Sequence, residues 1–177
     1  MPLSPNRRIA CLAAIVFFLD QATKLVVLNN LGYAQEKLII PGVFKFIHLG
    51  NTGAAWSMFR GNNSILAIVA LAALIVLFLA RHHFGARTPL GQVALGLIFG
   101  GILGNLFDRV LPGRNHVIDF LYFFINRNDG SERWSFPAFN IADTAICAGV
   151  GLVFLLSWKQ EIPEEKSTDP KAADSKS

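Results

Sequence analysis

Two carboxylates mark the chemistry open to this chain. Asp119 lies in Val117-Ile118-Asp119-Phe120, and Asp143 closes Phe139-Asn140-Ile141-Ala142-Asp143; each stands where a strongly apolar segment meets a polar stretch. An ionisable group at such a boundary is destabilising unless it has a partner or a task. Two carboxylates a few ångströms apart cannot both ionise readily, so they share one proton and present a base and an acid at a single pH. Such a pair can activate water without a metal. The competing reading is two unrelated aspartates that cap helices or pair with Arg114, Arg127 or Arg133. Asp143 falls in the first turn of an apolar run, where the helix dipole favours negative charge, while Ile118, Phe120 and Leu121 around Asp119 disfavour it. Asp143 is therefore the expected resting anion.

Other chemistries find no footing. The sequence has no His-Glu-x-x-His, no Gly-x-Ser-x-Gly and no glycine-rich phosphate loop, which excludes the common metallohydrolase, serine-esterase and nucleotide-binding patterns. Cys11 and Cys147 sit far apart inside apolar runs and read as small buried hydrophobes rather than zinc ligands or a disulfide. His82-His83 beside Arg81 lacks a third ligand and reads as a solvated cluster at a membrane edge. No metal or cofactor is expected. Basic residues outnumber acids 16 to 12, but no basic stripe with interleaved aromatics suggests nucleic acid.

The elements that must position the two aspartates belong to a membrane. Of 177 residues 53% are hydrophobic and only 16% charged, below the roughly 25% of soluble proteins. Four apolar runs, 9–28, 64–84, 92–111 and 139–158, each approach the ~20 residues that span a hydrocarbon core. Asp20 interrupts the first run and no small-residue cleavage site follows, so it is kept as a helix rather than a secretory signal. Four spans place both termini on one side. The segments 1–8, 81–90 and 159–177 carry eight Lys and Arg against six in the longer 29–63 and 110–138, so the termini are expected to be cytoplasmic and the two aspartates near the outer face. Residues 1–158 form one four-helix unit in this reading, and the polar tail 159–177 is disordered.

Between the first two spans, Leu38-Ile39-Ile40, Pro41-Gly42 and Val43 to Leu49 read as two strands around a type II turn, an outer β-hairpin. The following Gly50 to Trp56 suits a tight course at the interface, with the Trp56 indole at headgroup depth. On the third span Gly96, Gly100 and Gly104 form a close-packing stripe, beside a polar stripe of Gly101, Asn105 and Asp108. Asp108-Arg109 at its outer end reads as an ion-pairing anchor for the loop. Asp20 and Lys24, four apart, share a helix face and can neutralise one another.

Taken together, Asp20-Gln21-Ala22-Thr23-Lys24, Asn51-Thr52-Gly53-Ala54-Ala55, Gly101 to Arg109, Val117 to Phe120 and Phe139 to Asp143 resemble lipoprotein signal peptidase, the bacterial signal peptidase II. The resemblance implies an all-α inner-membrane aspartic endopeptidase with four transmembrane helices and a small extracytoplasmic sheet. It implies removal of signal peptides from prolipoproteins, before a cysteine that already carries diacylglycerol. By motif, Asp119 and Asp143 are its catalytic dyad. Asn51, Gly104, Asn105, Asp108, Arg109, Asn140 and Ala142, with Asp20 and Lys24, match positions that bind substrate or support the site. Lipid-modified prolipoproteins and membrane lipids are the implied partners of a chain that works as a monomer. Two departures stand out: Trp56 occupies an expected Phe position, and 126–133 makes the loop between the aspartates longer and more charged than usual. A proton-relay transporter using Asp20, Lys24, Asp108 and Asp143 is the competitor from another class, but it lacks internal repeats and leaves the paired location of Asp119 and Asp143 unexplained. A purely structural assembly role accounts for the glycines and none of the acids.

Overall fold

A computed structural model of the protein describes residues 3–53, 61–127 and 129–161. Its elements run α1 (Pro5–Asn30), β1 (Glu36–Ile40), β2 (Phe44–Asn51), α2 (Asn63–Ala80), α3 (Pro89–Val110), β3 (Val117–Asn126), β4 (Glu132–Ser135) and α4 (Ile141–Glu161). The four helices are all long and apolar enough to cross a membrane.

Glycine decides how they pack. On α3, a Cβ at Gly100 would lie 2.6 Å from the carbonyl oxygen of Ala13 on α1, and one at Gly101 would lie 2.5 Å from that of Ala142 on α4. Backbone-to-backbone approach of this kind is open only to glycine. Gly149 of α4 returns the contact, with a would-be Cβ 2.7 Å from the Ala94 carbonyl oxygen. The centre of the molecule is thus α3, clasped between α1 and α4. Its start is fixed by Pro89 in the first turn and by the Thr88 hydroxyl, which accepts the Gly91 N–H at 3.0 Å. The second helix stands apart: Leu66 is its one buried residue, Leu77 packs partly against Ile9, Ala86 and Leu95, and most of its remaining apolar surface faces outward.

The strands form one antiparallel sheet in the order β1-β2-β3-β4. The expected turn joins β1 to β2, with Gly42 at φ 75° and Val43 N–H donating to the Ile40 carbonyl at 3.1 Å. Ile118 and Phe120 of β3 bury against Val27 of α1, with Phe46 and Ile141 packed around them, so the sheet is docked at the carboxyl end of α1 and the amino end of α4. Beyond β4 the chain returns to the sheet at Phe139, which pairs with Leu121 immediately before α4 begins.

Several sequence expectations need correction. The expected hairpin of β1 and β2 is present, and the ten-residue strand 117–126 and β4 extend it to a four-stranded sheet. The 117–126 run lacks polar alternation, having one face on the helices and aromatic neighbours over much of the other. The second helix ends at Ala80, before a turn segment closed by Gly85 at φ 77°, and α3 begins at Pro89, ahead of its apolar run. Cys11 and Cys147 are exposed, not buried. They sit on outward helix faces, where the apolar surroundings a thiol favours are supplied by lipid. The Trp56 expectation and the tail beyond Glu161 lie outside the described residues.

Candidate active site

Asp119 is placed by the β2–β3 ladder, in which it pairs with Leu49 while Asn51 pairs with Val117. From the end of β2 the Asn51 amide reaches across and donates to Asp119 Oδ2 at 2.9 Å. The Asn51 side-chain oxygen Oδ1 accepts the Gly53 N–H at 2.8 Å, which fixes the side chain in a local turn.

Asp143 is placed by the start of α4. Its N–H donates to Asn140 Oδ1 at 2.9 Å, and the Asn140 N–H donates to Asp143 Oδ2 at 3.2 Å. This is a reciprocal capping box that satisfies two otherwise orphaned helix donors. The amide nitrogen of the same Asn140 donates to Asp119 Oδ1 at 2.8 Å. One buried asparagine is therefore bonded to both carboxylates. Asn105 of α3 completes the frame by donating to Asp143 Oδ1 at 2.7 Å.

Behind this frame lies a buried charge cluster. Lys24 is fully buried and spends its three donors on Asp20 Oδ2 at 2.7 Å, Asp108 Oδ2 at 2.7 Å and Asn105 Oδ1 at 3.1 Å. Asp20 Oδ1 accepts the Ala142 N–H at 2.9 Å, and Asp108 Oδ1 pairs with Arg114. Two anions and two cations cancel, so the cluster orders α1, α3 and α4 without supplying net charge to the dyad. A Cβ on Gly104 would meet Asp20 Oδ2 at 2.6 Å.

Arg109 turns the other way from Asp108. Neighbouring helical residues point about 100° apart, so the expected Asp108-Arg109 anchor is divided: Asp108 enters the cluster and Arg109 holds the loop. Arg109 donates to the Gly53 carbonyl at 2.9 Å and to Asn63 Oδ1 at 3.0 Å, while the Asn63 amide donates to the Arg109 carbonyl at 2.8 Å.

All site residues read from the sequence are thus placed together: Asn51, Asn105 and Asn140 around the two aspartates, Asp20, Lys24, Asp108, Ala142 and Gly104 behind them, Arg109 at the side. Gln21, Asn63 and the Arg114 partnership with Asp108 were missed. Gln21 adjoins Asp20 and donates to Gly104 and Asp108, a role that only its adjacency could have signalled.

Electrostatically the two carboxylates depend on each other. Asp119 is 3% exposed, and among the described residues neither aspartate forms a salt bridge. Burial, and secondarily the charge of Asp143, push the Asp119 carboxyl up to about 7, against the opposing hydrogen bonds from Asn51 and Asn140. Each carboxylate oxygen accepts one neutral N–H and keeps lone-pair capacity for a water. Among the described residues no group of three His, Cys, Asp or Glu can hold a metal ion.

Residues 12–159 match the sequence model of the family described as Signal peptidase (SPase) II. This chain belongs to the signal peptidase II family. It is 41% identical over 145 residues to the lipoprotein signal peptidase of Symbiobacterium thermophilum, covering 81% of this chain and 90% of that protein. With the lipoprotein signal peptidase of Photorhabdus laumondii subsp. laumondii the identity is 37% over 160 residues, covering 88% and 89%. A bacterial membrane enzyme solved by the in meso method at 2.3 Å superposes with a TM-score of 0.72 at 29% identity, over 89% of this chain and 92% of that one. As a signal peptidase II family member this is a membrane peptidase, and the site above lies where the strand sheet meets the helix ends.

Proposed function

We propose that this signal peptidase is an aspartic endopeptidase that cuts prolipoproteins immediately before a diacylglyceryl-modified cysteine, with Asp119 and Asp143 as its dyad. The observation that carries this reading is the single residue Asn140 bonded to both carboxylates, by its side-chain amide to Asp119 and by its backbone N–H to Asp143, with no salt bridge to either among the described residues. Asp143 acts as base and takes a proton from water; the water oxygen bonds to the scissile carbonyl carbon. Protonated Asp119 hydrogen-bonds the carbonyl oxygen as negative charge develops there. When the tetrahedral intermediate collapses, the C–N bond breaks and a proton from the dyad passes to the leaving nitrogen. The amides of Asn51, Asn105 and Asn140 hold both carboxylates in register without contributing charge.

In this reading both termini are cytoplasmic and the dyad lies near the outer membrane surface, where an apolar signal helix can enter sideways from the bilayer. Binding of that helix and of the lipid then positions the scissile bond. In this reading the working unit is the monomer. The experiment is incubation of the purified protein in detergent with a lipid-modified precursor and with its unmodified counterpart. Cleavage of the first alone, at the bond before cysteine, is the expected result; equal cleavage of both would remove the lipid from the recognition scheme.

A further inference from the structure

A large cavity lies away from the dyad. A cleft of about 700 Å³ opens between α1 and α2, with α3 as its floor, and is lined almost wholly by apolar side chains. On α3 it is bounded by Phe99, Leu103, Leu106, Phe107 and Val110, which lie roughly 100 to 160° around the helix from Asn105. The cleft and the dyad are therefore on different sides of α3, and a segment running to the dyad does not pass through the cleft.

The end of the cleft has a polar feature that its walls do not satisfy. Arg81 and Asn6 line it there. The Arg81 guanidinium stacks 4.4 Å over the Phe78 ring and donates from Nη1 to the Phe78 carbonyl at 2.7 Å, but its Nε is buried without a hydrogen-bond partner among the described residues. A buried guanidinium N–H left unpaired is unfavourable, and nothing nearby in sequence offers a carboxylate: residues 1–9 and 81–92 contain Arg7, Arg8, Arg81 and Arg87 and no Asp or Glu. From Asn6 to Phe18 along α1 the cleft runs roughly 18 Å at 1.5 Å per residue, close to half of the ~30 Å hydrocarbon core.

We propose that this cleft is a binding site for one anionic glycerophospholipid from the leaflet on the amino-terminal side, with its phosphate on Arg81 and an acyl chain along α1. Arginine suits the task because its planar N–H groups match phosphate oxygens and it is more weakly hydrated than lysine. The adjacent basic residues favour a headgroup of net negative charge. The lipid fills the space that keeps α2 apart from α1, and α2 carries Asn63, the partner of Arg109. The site so assigned depends on the helices lying in a bilayer and not on the reaction at Asp119 and Asp143.

The test is native mass spectrometry of the full-length protein from detergent micelles, titrated with phosphatidylglycerol or phosphatidylcholine. One phosphatidylglycerol per chain should be retained, about tenfold more strongly than phosphatidylcholine. Arg81→Ala should weaken that retention about tenfold and erase the preference, and Arg81→Lys should restore part of it. Ala14→Trp, which places a ring in the cleft from an exposed position, should displace both lipids while the lipid-free melting temperature stays unchanged. Equal retention of the two lipids, or wild-type retention by Arg81→Ala and Ala14→Trp, would overturn the site. So would displacement of phosphatidylglycerol by an added apolar signal-sequence peptide, which would give the cleft to the substrate helix.

Discussion

The carboxylate of Asp20 accepts the backbone N–H of Ala142 at 2.9 Å, although the two residues are 122 positions apart. That N–H belongs to the first turn of α4, whose donors have no partner within the helix. The first membrane helix thus supplies the cap of the last one, directly before Asp143. The geometry of the candidate dyad is in this way tied to a buried ion cluster that never touches it.

Removing the shared cation should expose this dependence. Lys24→Met leaves Asp20 and Asp108 buried without their common partner, a change worth roughly 3–5 kcal/mol in comparable cases. Thermal unfolding in detergent should show a large drop in melting temperature. A variant that melts with the wild type would show that the cluster does not stabilise the fold.

Substitution within the dyad should do the opposite, sparing stability and ending turnover. Asp119→Asn and Asp143→Asn keep shape and most hydrogen bonds but cannot exchange a proton. Each should lower kcat by at least about a thousandfold in a precursor-cleavage assay, with the chain still folded. Near-normal turnover by either variant rules out the dyad.

Asn140→Ala should produce both effects in moderate form. It removes the side-chain cap, costing about 1 kcal/mol, and takes the amide donor from Asp119, while the backbone N–H at position 140 stays on Asp143. We expect kcat to fall about a hundredfold with KM little changed. A rise in KM alone would make Asn140 a substrate contact rather than a positioning residue.

Much of this was legible in the sequence because each signal had a local cause. Apolar runs of about twenty residues gave four helices, the four-residue spacing of Asp20 and Lys24 gave their pairing, and Pro41-Gly42 gave the turn. The sheet was harder to read. Val117 to Asn126 is buried by partners distant in sequence, so its pattern lacks the alternation of a half-exposed strand. The division of Asp108 from Arg109 followed from helix geometry, but which side each faced depended on Arg114 and Asn63, whose positions are set by loops. The exposure of Cys11 and Cys147 could not be read from hydrophobicity, since core and bilayer favour the same side chains.

The pH dependence has a definite sign. With the Asp119 carboxyl at about 7, turnover should fall above neutral pH as the acid loses its proton, and on the acid side as Asp143 gains one, in a bell whose limbs belong to the pair. Stability should respond too. Between the unfolded value of 3.8 and about 7, the folded chain holds a proton at Asp119 that the unfolded chain has lost, so this residue contributes progressively less stability as pH rises through that window. Asp119→Asn should therefore melt higher than wild type at pH 8, with the difference vanishing near pH 4. Melting curves that run parallel at all pH values would place the Asp119 carboxyl in the ordinary range.

The backbone lacing at Phe139 carries a consequence for how the chain can vary. The Phe120 and Leu121 N–H groups both donate to the Phe139 carbonyl, at 3.0 and 2.9 Å, and the Phe139 N–H returns to Leu121 at 3.1 Å. This fastening lies two residues past Asp119 and four before Asp143, so everything from 122 to 138 is a side excursion. Residues can be added between β3 and β4 without altering the spacing of the two carboxylates. A single residue inserted between Asp119 and Leu121 would instead turn the Asp119 carboxylate to the opposite face of β3, and one inserted between Phe139 and Asp143 would rotate the Asp143 carboxylate by about 100° around α4. Length variation in descendants of this chain is thereby confined to one side of a two-residue fastening.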